Sequence, residues 1–168
     1  PRPGAAALRT PDAPGFAALA ENGGPEALAA APDGTLYALA ERPGRDGRFP
    51  AFRLRPGAET WETGRATVGG GFAITGADIG PDGALWLVER RYSPIWGVAA
   101  RVSRADLGDW PDLVPAPAAI FLEGSGIDNM EGIVMRRGRE GGLRALLVSD
   151  DNLNPLQRTL FVEIALPE

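Results

Sequence analysis

Apolar stretches in this chain occur in pairs around short polar turns. Residues 31–39 align with residues 80–88, and both copies place Pro-Asp-Gly between two apolar stretches, with an offset of 49 residues from Asp33 to Asp82. Proline fixes one turn angle and glycine accepts a positive φ, so this turn is typical of a β-hairpin. A looser third copy has apolar stretches at 131–135 and 144–150 around a polar turn at 136–142. The pattern therefore predicts three hairpins.

Each hairpin is followed by further strand-like segments. They lie at 51–54 and 60–68, then at 98–104 and 118–122, and finally at 159–166. The three repeats thus contain four, four and three predicted strands, which indicates an all-β chain. Four-stranded repeats of about 50 residues are typical of β-propeller blades. We expect residues 1–168 to form a single partial β-propeller domain with repeats at approximately 22–70, 71–124 and 125–168. Three blades leave sheet edges open, so we expect the missing part of a propeller, or a second copy of the chain, to complete the ring.

Composition restricts the chemistry. The 168 residues include no Cys and no His, and all 17 basic residues are Arg. Disulfides, Ser-His-Asp triads and lysine Schiff bases are therefore excluded within this chain. Carboxylates, arginines, hydroxyls and oxygen-bound cations such as calcium remain. The net charge of −5 argues against nucleic acid, and no apolar run approaches the roughly 20 residues of a membrane span, so we expect neither partner.

Acidic residues lie at corresponding ends of the hairpins. Because the first two strands of a repeat are antiparallel, the start of one and the end of the other share one end of the sheet. The residues there are Glu26 and Glu41 in the first repeat, Glu89, Arg90 and Arg91 in the second, and Glu131, Asp150, Asp151 and Asn152 in the third. The 49-residue offset aligns Glu41 with Arg90 and not with Glu89. A one-residue slip turns a side chain to the other face unless a bulge absorbs it.

Three segments resemble a known family. Residues 129–133 read Asn-Met-Glu-Gly-Ile, residues 147–152 read Leu-Val-Ser-Asp-Asp-Asn, and residues 157–159 read Gln-Arg-Thr. Together they resemble the C-terminal signature of the phytase-like domain, the "esterase-like activity of phytase" family. Residues 22–28, which read Asn-Gly-Gly-Pro-Glu-Ala-Leu, resemble an earlier motif of that family. The resemblance covers most of the chain and matches the second half of a typical member.

The resemblance implies a secreted or periplasmic bacterial protein that hydrolyses phosphate or carboxylic esters, with a small-molecule ester or phosphate ester as its partner. It implies catalytic roles for Glu26 and Glu131, with Glu41 and Glu89 as further candidates. As a hypothesis, Glu26, Glu131, Asp150, Asp151 and Asn152 would hold calcium or another hard cation. Arg42, Arg90 and Arg91 would bind the substrate phosphate.

Two alternatives remain open from the sequence. One is a calcium-dependent lactonase of the gluconolactonase kind, on the same architecture. The other is a propeller without catalytic activity that binds a cation or a cationic ligand at its acidic end. The fold by itself does not choose among them, because propellers host many unrelated functions.

Overall fold

The structure, a computed structural model, describes residues 11–19 and 23–166, so Asn22 of the first motif lies outside the described residues. Within these ranges the chain forms twelve β-strands and two short 3-10 helices, which confirms the all-β prediction. The strands are β1 (Pro25–Ala30), β2 (Leu36–Ala40), β3 (Phe49–Leu54), β4 (Glu62–Ala66), β5 (Ala73–Ile79), β6 (Leu85–Ser93), β7 (Gly97–Ala105), β8 (Asp112–Leu113), β9 (Ala116–Phe121), β10 (Met130–Arg137), β11 (Leu143–Ser149) and β12 (Phe161–Ala165). The helices are Pro14–Ala18 and Leu107–Asp109. No helix in these ranges is both long and apolar enough to cross a membrane.

The strands form three sheets. The first has the order β1-β2-β3-β4-β8, the second β5-β6-β7-β9, and the third β10-β11-β12. Consecutive strands pair antiparallel within each sheet, as the repeats predict, but β8 leaves the second repeat and pairs parallel to β4. This two-residue strand ties the outer edge of the first sheet to the chain of the second.

The Pro-Asp-Gly turns adopt the expected hairpin geometry. Asp33 accepts hydrogen bonds from the backbone N and the Oγ1 of Thr35, at 2.8 and 3.0 Å. Asp82 accepts hydrogen bonds from the indole Nε1 of Trp86, at 3.0 Å, and from the backbone N of Ala84, at 3.4 Å. The glycine that follows each aspartate has a positive φ, +86° and +76°. Local turn chemistry thus fixes where β2 and β6 begin.

Strand β6 of the second sheet is buried on both faces along residues 85–89. Along β6, Leu85 and Leu87 pack into the core shared with the first sheet, whereas Trp86 and Val88 pack into the core shared with the third. This alternation follows from the pleat of a strand. The second sheet is therefore the middle layer of the molecule, with the other two sheets packed against its faces.

The first strands of the three sheets, β1, β5 and β10, lie beside one another. Thr75 on β5 donates a hydrogen bond of 2.7 Å from its Oγ1 to the carbonyl oxygen of Met130. Farther along, the Oδ2 of Asp78 accepts a hydrogen bond from the backbone N of Met135 at 2.7 Å. Gly76 allows this contact, because an added Cβ would lie 2.9 Å from the carbonyl oxygen of Glu131. These contacts bring corresponding ends of the three sheets together. The assignment of the sheets as propeller blades stays a prediction.

Candidate functional site

Each of the three first strands carries a bulge at the same position. The register shifts between Pro25 and Ala27 in β1, between Ile74 and Gly76 in β5, and between Met130 and Gly132 in β10. The extra residues are Glu26, Thr75 and Glu131. A bulge re-aims its side chain relative to the regular pleat. Glu26, predicted to lie at the end of the sheet where the first strand starts, therefore lies within β1 at its bulge.

The second strands of the three sheets have equivalent positions opposite the bulges, although β6 continues beyond them to Ser93. Ala40, Glu89 and Ser149 lie opposite Pro25, Ile74 and Met130, the residues just before the three bulges. The residues that follow, Glu41, Arg90 and Asp150, are equivalent too. All three, together with the three bulge residues, line a pocket of about 510 Å³, here called the mouth pocket. Its residues are Glu26, Glu41, Arg42, Thr75, Arg90, Glu131, Asp150 and Asn152.

Arg90 lies between two glutamates of the mouth pocket. Its Nε donates to the Oε1 of Glu131 at 3.0 Å, and its Nη2 donates to the Oε1 of Glu41 at 3.1 Å. The Oε2 of Glu41 also lies 3.4 Å from the Nε of Arg42, an exposed side chain. The other N–H groups of Arg90 have no hydrogen-bond partner among the described residues. Arg90 is thus fixed by two carboxylates and keeps donors for a ligand.

The carboxyl group of Glu131 is held by two hydrogen bonds at one of its oxygens. Its Oε1 accepts a second hydrogen bond, 2.7 Å long, from the Nδ2 of Asn129, while its Oε2 has no partner among the described residues. Burial raises the pKa of Glu131, the charge of Arg90 and the bond from Asn129 oppose that rise, and the charge of Glu26 adds to it. A partly buried carboxyl with a raised pKa and one unengaged oxygen can exchange a proton with a ligand or a water molecule.

Sequence reasoning assigned no role to Asn129 or Asp128. Asp128 is buried and accepts hydrogen bonds from the backbone N of Asn129, at 3.0 Å, and from the backbone N of Arg158, at 2.9 Å. Asp128 thereby joins the segment before β10 to the segment before β12. It also fixes the position of Asn129, which orients Glu131. Asn129 is the first residue of the Asn-Met-Glu-Gly-Ile motif at 129–133, so the sequence did point to it. Only Glu131 of that motif was assigned a role.

Glu89 and Arg91 do not face the mouth pocket. Glu89 is 0% exposed, lies on the face of β6 toward the first sheet, and forms an ion pair with Arg101. Burial raises the pKa of Glu89, and the positive charge of Arg101 offsets part of that rise. Arg91 donates to the Oε1 of Glu123 at 2.7 Å and to the carbonyl oxygen of Gly70 at 3.1 Å. Both side chains are thus engaged in contacts that hold the second sheet and its loops.

The metal ligands expected after β11 are only partly brought together. Asp150 lines the mouth pocket, and its Oδ1 accepts the backbone N of Asn152 at 3.0 Å. Asp151 instead closes a turn, accepting the backbone N of Leu153 at 2.9 Å and the Oγ1 of Thr159 at 3.0 Å. Across residues 11–19 and 23–166, no group of three or more acidic side chains is arranged to hold a metal ion. The calcium ion and its ligand set stay predictions.

A comparison with known families agrees with the motifs. The family model described as phytase-like, esterase-like activity of phytase, matches residues 2–153. The chain belongs to this family. No curated protein matches the chain.

The phytase-like match includes every residue of the mouth pocket and ends before the Gln-Arg-Thr stretch at 157–159. The family predicted from the motifs is therefore confirmed, and it supports a hydrolase of the phytase or esterase type. That the chain corresponds to the second half of a typical phytase-like member stays a prediction.

Proposed function

We propose that this phytase-like protein hydrolyses esters in the mouth pocket, with neutral carboxylic esters as its preferred substrates. The observation that carries the proposal is the placement of Arg90 between Glu41 and Glu131. A guanidinium with unengaged donors beside a carboxyl with an unengaged oxygen supplies an oxyanion-binding group and a proton acceptor in one place.

The charge of the mouth pocket favours a neutral substrate. Its lining holds four carboxylates and two guanidinium groups, for a formal charge of −2 when all are ionised. A phosphate monoester brings about −1.5 to −2 charges of its own at pH 7 and is repelled. A carboxylic ester brings none. Phosphate esters would need an added cation, and the calcium ion predicted from the sequence is a candidate for it.

Glu131 acts as the general base in this proposal. Its Oε2 accepts a proton from a water molecule whose oxygen attacks the acyl carbon of the ester. The charge that develops on the carbonyl oxygen is stabilised by the N–H groups of Arg90. When the bond from the acyl carbon to the leaving alkoxide oxygen breaks, Glu131 returns its proton to that oxygen, and a carboxylic acid and an alcohol are released. Asn129 positions Glu131 throughout.

Apolar side chains beyond the mouth pocket suit the apolar part of such an ester. Tyr92 lies two residues after Arg90 on β6, so its Cα is about 7 Å farther along the same face. Its side chain is 65% exposed, and Ile95 and Trp96 at the tip of the same hairpin are exposed as well. We assign this hairpin to the acyl or alkyl group of the substrate.

The three sheets fit the arrangement of propeller blades. Their first strands lie together, the later strands of each sheet follow outward in order, and the mouth pocket lies at one end of the first strands. Within the described residues β12 pairs only with β11, so its other edge could accept a strand. A dimer in light scattering would support completion by a second copy, whereas a monomer would argue against it.

Hydrolysis assays test the proposed activity. The substrates are p-nitrophenyl butyrate, p-nitrophenyl phosphate and a simple lactone, each with and without added calcium. We expect turnover of the butyrate without calcium and loss of about 10²- to 10⁴-fold in Glu131→Gln, the usual contribution of a general base. The control Glu140→Gln removes an exposed carboxylate in the turn between β10 and β11 and should leave the rate unchanged.

Three results would overturn parts of the proposal. Absence of turnover would reject the ester hydrolase, and full activity in Glu131→Gln would reject its base. Faster turnover of the phosphate than of the butyrate without calcium would reject the charge argument.

A further inference from the structure

A second pocket, here called the far pocket, lies at the opposite end of the sheets. Its volume is about 560 Å³, and it is lined by Asp82, Trp86, Arg104, Ala118, Arg137 and Leu143, among others. Asp82 precedes β6 and Arg137 ends β10, whereas the mouth pocket is formed near the end of β6 and the start of β10. The far pocket is therefore separate from the site of the proposed hydrolysis. Its size is within the range of small-molecule sites.

The floor of the far pocket is apolar and belongs to the packed core. Trp86 is 2% exposed and belongs to the core between the second and third sheets, against which Leu143 and Ala118 also pack. The indole Nε1 of Trp86 is satisfied by the Oδ1 of Asp82, so the floor offers no unsatisfied donor. This surface would contact the apolar part of a ligand.

The rim carries two arginines, of which, within the described part of the chain, one is paired with a carboxylate and the other is not. Arg104 donates from its Nε to the Oδ2 of Asp82 at 2.9 Å, so its charge is compensated and its position is fixed. Arg137 donates only to the carbonyl oxygen of Gly141, at 3.1 Å, and has no carboxylate partner among the described residues. The rim thus holds one uncompensated positive charge, in a chain whose net charge is −5.

We propose that the far pocket binds a small amphipathic anion. Its carboxylate or phosphate group lies on the guanidinium of Arg137, assisted by the remaining donors of Arg104. Its apolar body lies over Leu143, Ala118 and the edge of Trp86. The arginines supply charge-assisted hydrogen bonds, and the floor supplies burial of apolar surface. The inference does not depend on the proposed hydrolase activity, because no residue of the mouth pocket takes part.

Calorimetric titration of the full chain tests the proposal. The probes are benzoate and phenylphosphonate, which carry both chemical features, inorganic phosphate, which lacks the apolar body, and benzyl alcohol, which lacks the charge. We expect at least one of the two amphipathic anions to bind, and the two incomplete probes to bind at least about tenfold more weakly. Benzyl alcohol loses the charge-assisted hydrogen bonds, and inorganic phosphate loses the burial of apolar surface. Comparison of the affinities for benzoate and phenylphosphonate shows whether the far pocket prefers a carboxylate or a phosphate-like group.

Two matched variants locate the site. Arg137→Gln should weaken binding at least about tenfold by the same reasoning. Arg139→Gln removes the same charge from the turn that follows β10. Arg139 does not line the far pocket, so binding should stay within about twofold of the unsubstituted protein. Thermal melting confirms that both variants are folded. Absence of binding by both anions, equal binding of inorganic phosphate, or equal weakening by the two variants would overturn the proposal.

Discussion

Replacing Arg101 with Met should destabilise the protein in a pH-dependent way. Arg101 is the ion-pair partner of Glu89, and the two side chains are 12% and 0% exposed. Methionine keeps the apolar stem beside the ring of Phe72, above which the guanidinium of Arg101 lies at 4.3 Å. The main loss is therefore the positive charge. Glu89 would be left as a buried carboxylate without a partner.

The expected cost at neutral pH is about 3–5 kcal/mol, the usual penalty for removing one partner of a buried pair. For a chain of this size that corresponds to a fall in melting temperature of roughly 6–20 °C. Burial already raises the pKa of Glu89 above 4.5, and loss of Arg101 raises it further because the opposing charge is gone. A raised pKa in the folded state means that the folded protein binds the proton more tightly than the unfolded chain. The destabilisation that comes from Glu89 is therefore smallest below pH 4.5 and grows as pH rises through the folded-state pKa of Glu89.

Urea unfolding followed by tryptophan fluorescence, at about pH 7.5 and about pH 5, measures both effects. The difference in unfolding free energy between the original protein and Arg101→Met should shrink at the lower pH. The double variant Glu89→Gln, Arg101→Met carries no charge at this pair of positions and should recover at least half of the loss at neutral pH. A difference that is equal at both pH values, or a double variant as unstable as the single one, would refute the reasoning.

Three further predictions concern the mouth pocket and its support. Glu26→Gln should move the acidic limb of the pH–rate profile to lower pH, because the charge of Glu26 raises the pKa of Glu131; an unmoved limb would contradict this coupling. Asn129→Ala should move the same limb to higher pH and lower kcat, because the hydrogen bond from Asn129 lowers that pKa; a shift in the other direction would reject the positioning role. Gly76→Ala should cost about 1–3 kcal/mol in urea unfolding, since its Cβ would lie 2.9 Å from a carbonyl oxygen of β10. Gly142→Ala, with no atom within 4 Å of the added Cβ, is its control and should change stability by no more than about 0.5 kcal/mol.

The hairpins could be predicted because their turns are local. Within the turns, Asp33 and Asp82 accept hydrogen bonds from residues two to four positions away, and the glycines that follow them take a positive φ. Such geometry is set by a few adjacent residues and is visible in any one copy. The short strand β8 could not be predicted, because two residues carry no periodicity and its pairing with β4 depends on tertiary packing.

The bulges explain what was missed at the site. Thr75 occupies the bulge equivalent to Glu26 and Glu131, but a search for carboxylates passes over a threonine. The face of Glu89 was also hidden, because residues 85–89 are buried without alternation and the strand reads as apolar on both sides. The 49-residue offset already aligned Arg90, and not Glu89, with Glu41, and the register between β5 and β6 agrees with that alignment.

The most direct test of the central claim compares kcat/KM for ester hydrolysis in Arg90→Lys and Arg91→Lys. The two arginines are neighbours on β6, and both substitutions keep the positive charge while removing the planar guanidinium. If Arg90 binds the developing oxyanion, Arg90→Lys should lower kcat/KM by up to about 10²-fold. Arg91→Lys, whose side chain contacts Glu123 and Gly70, should leave it nearly unchanged. Equal losses in the two variants, or a larger loss in Arg91→Lys, would contradict the placement of the reaction at Arg90.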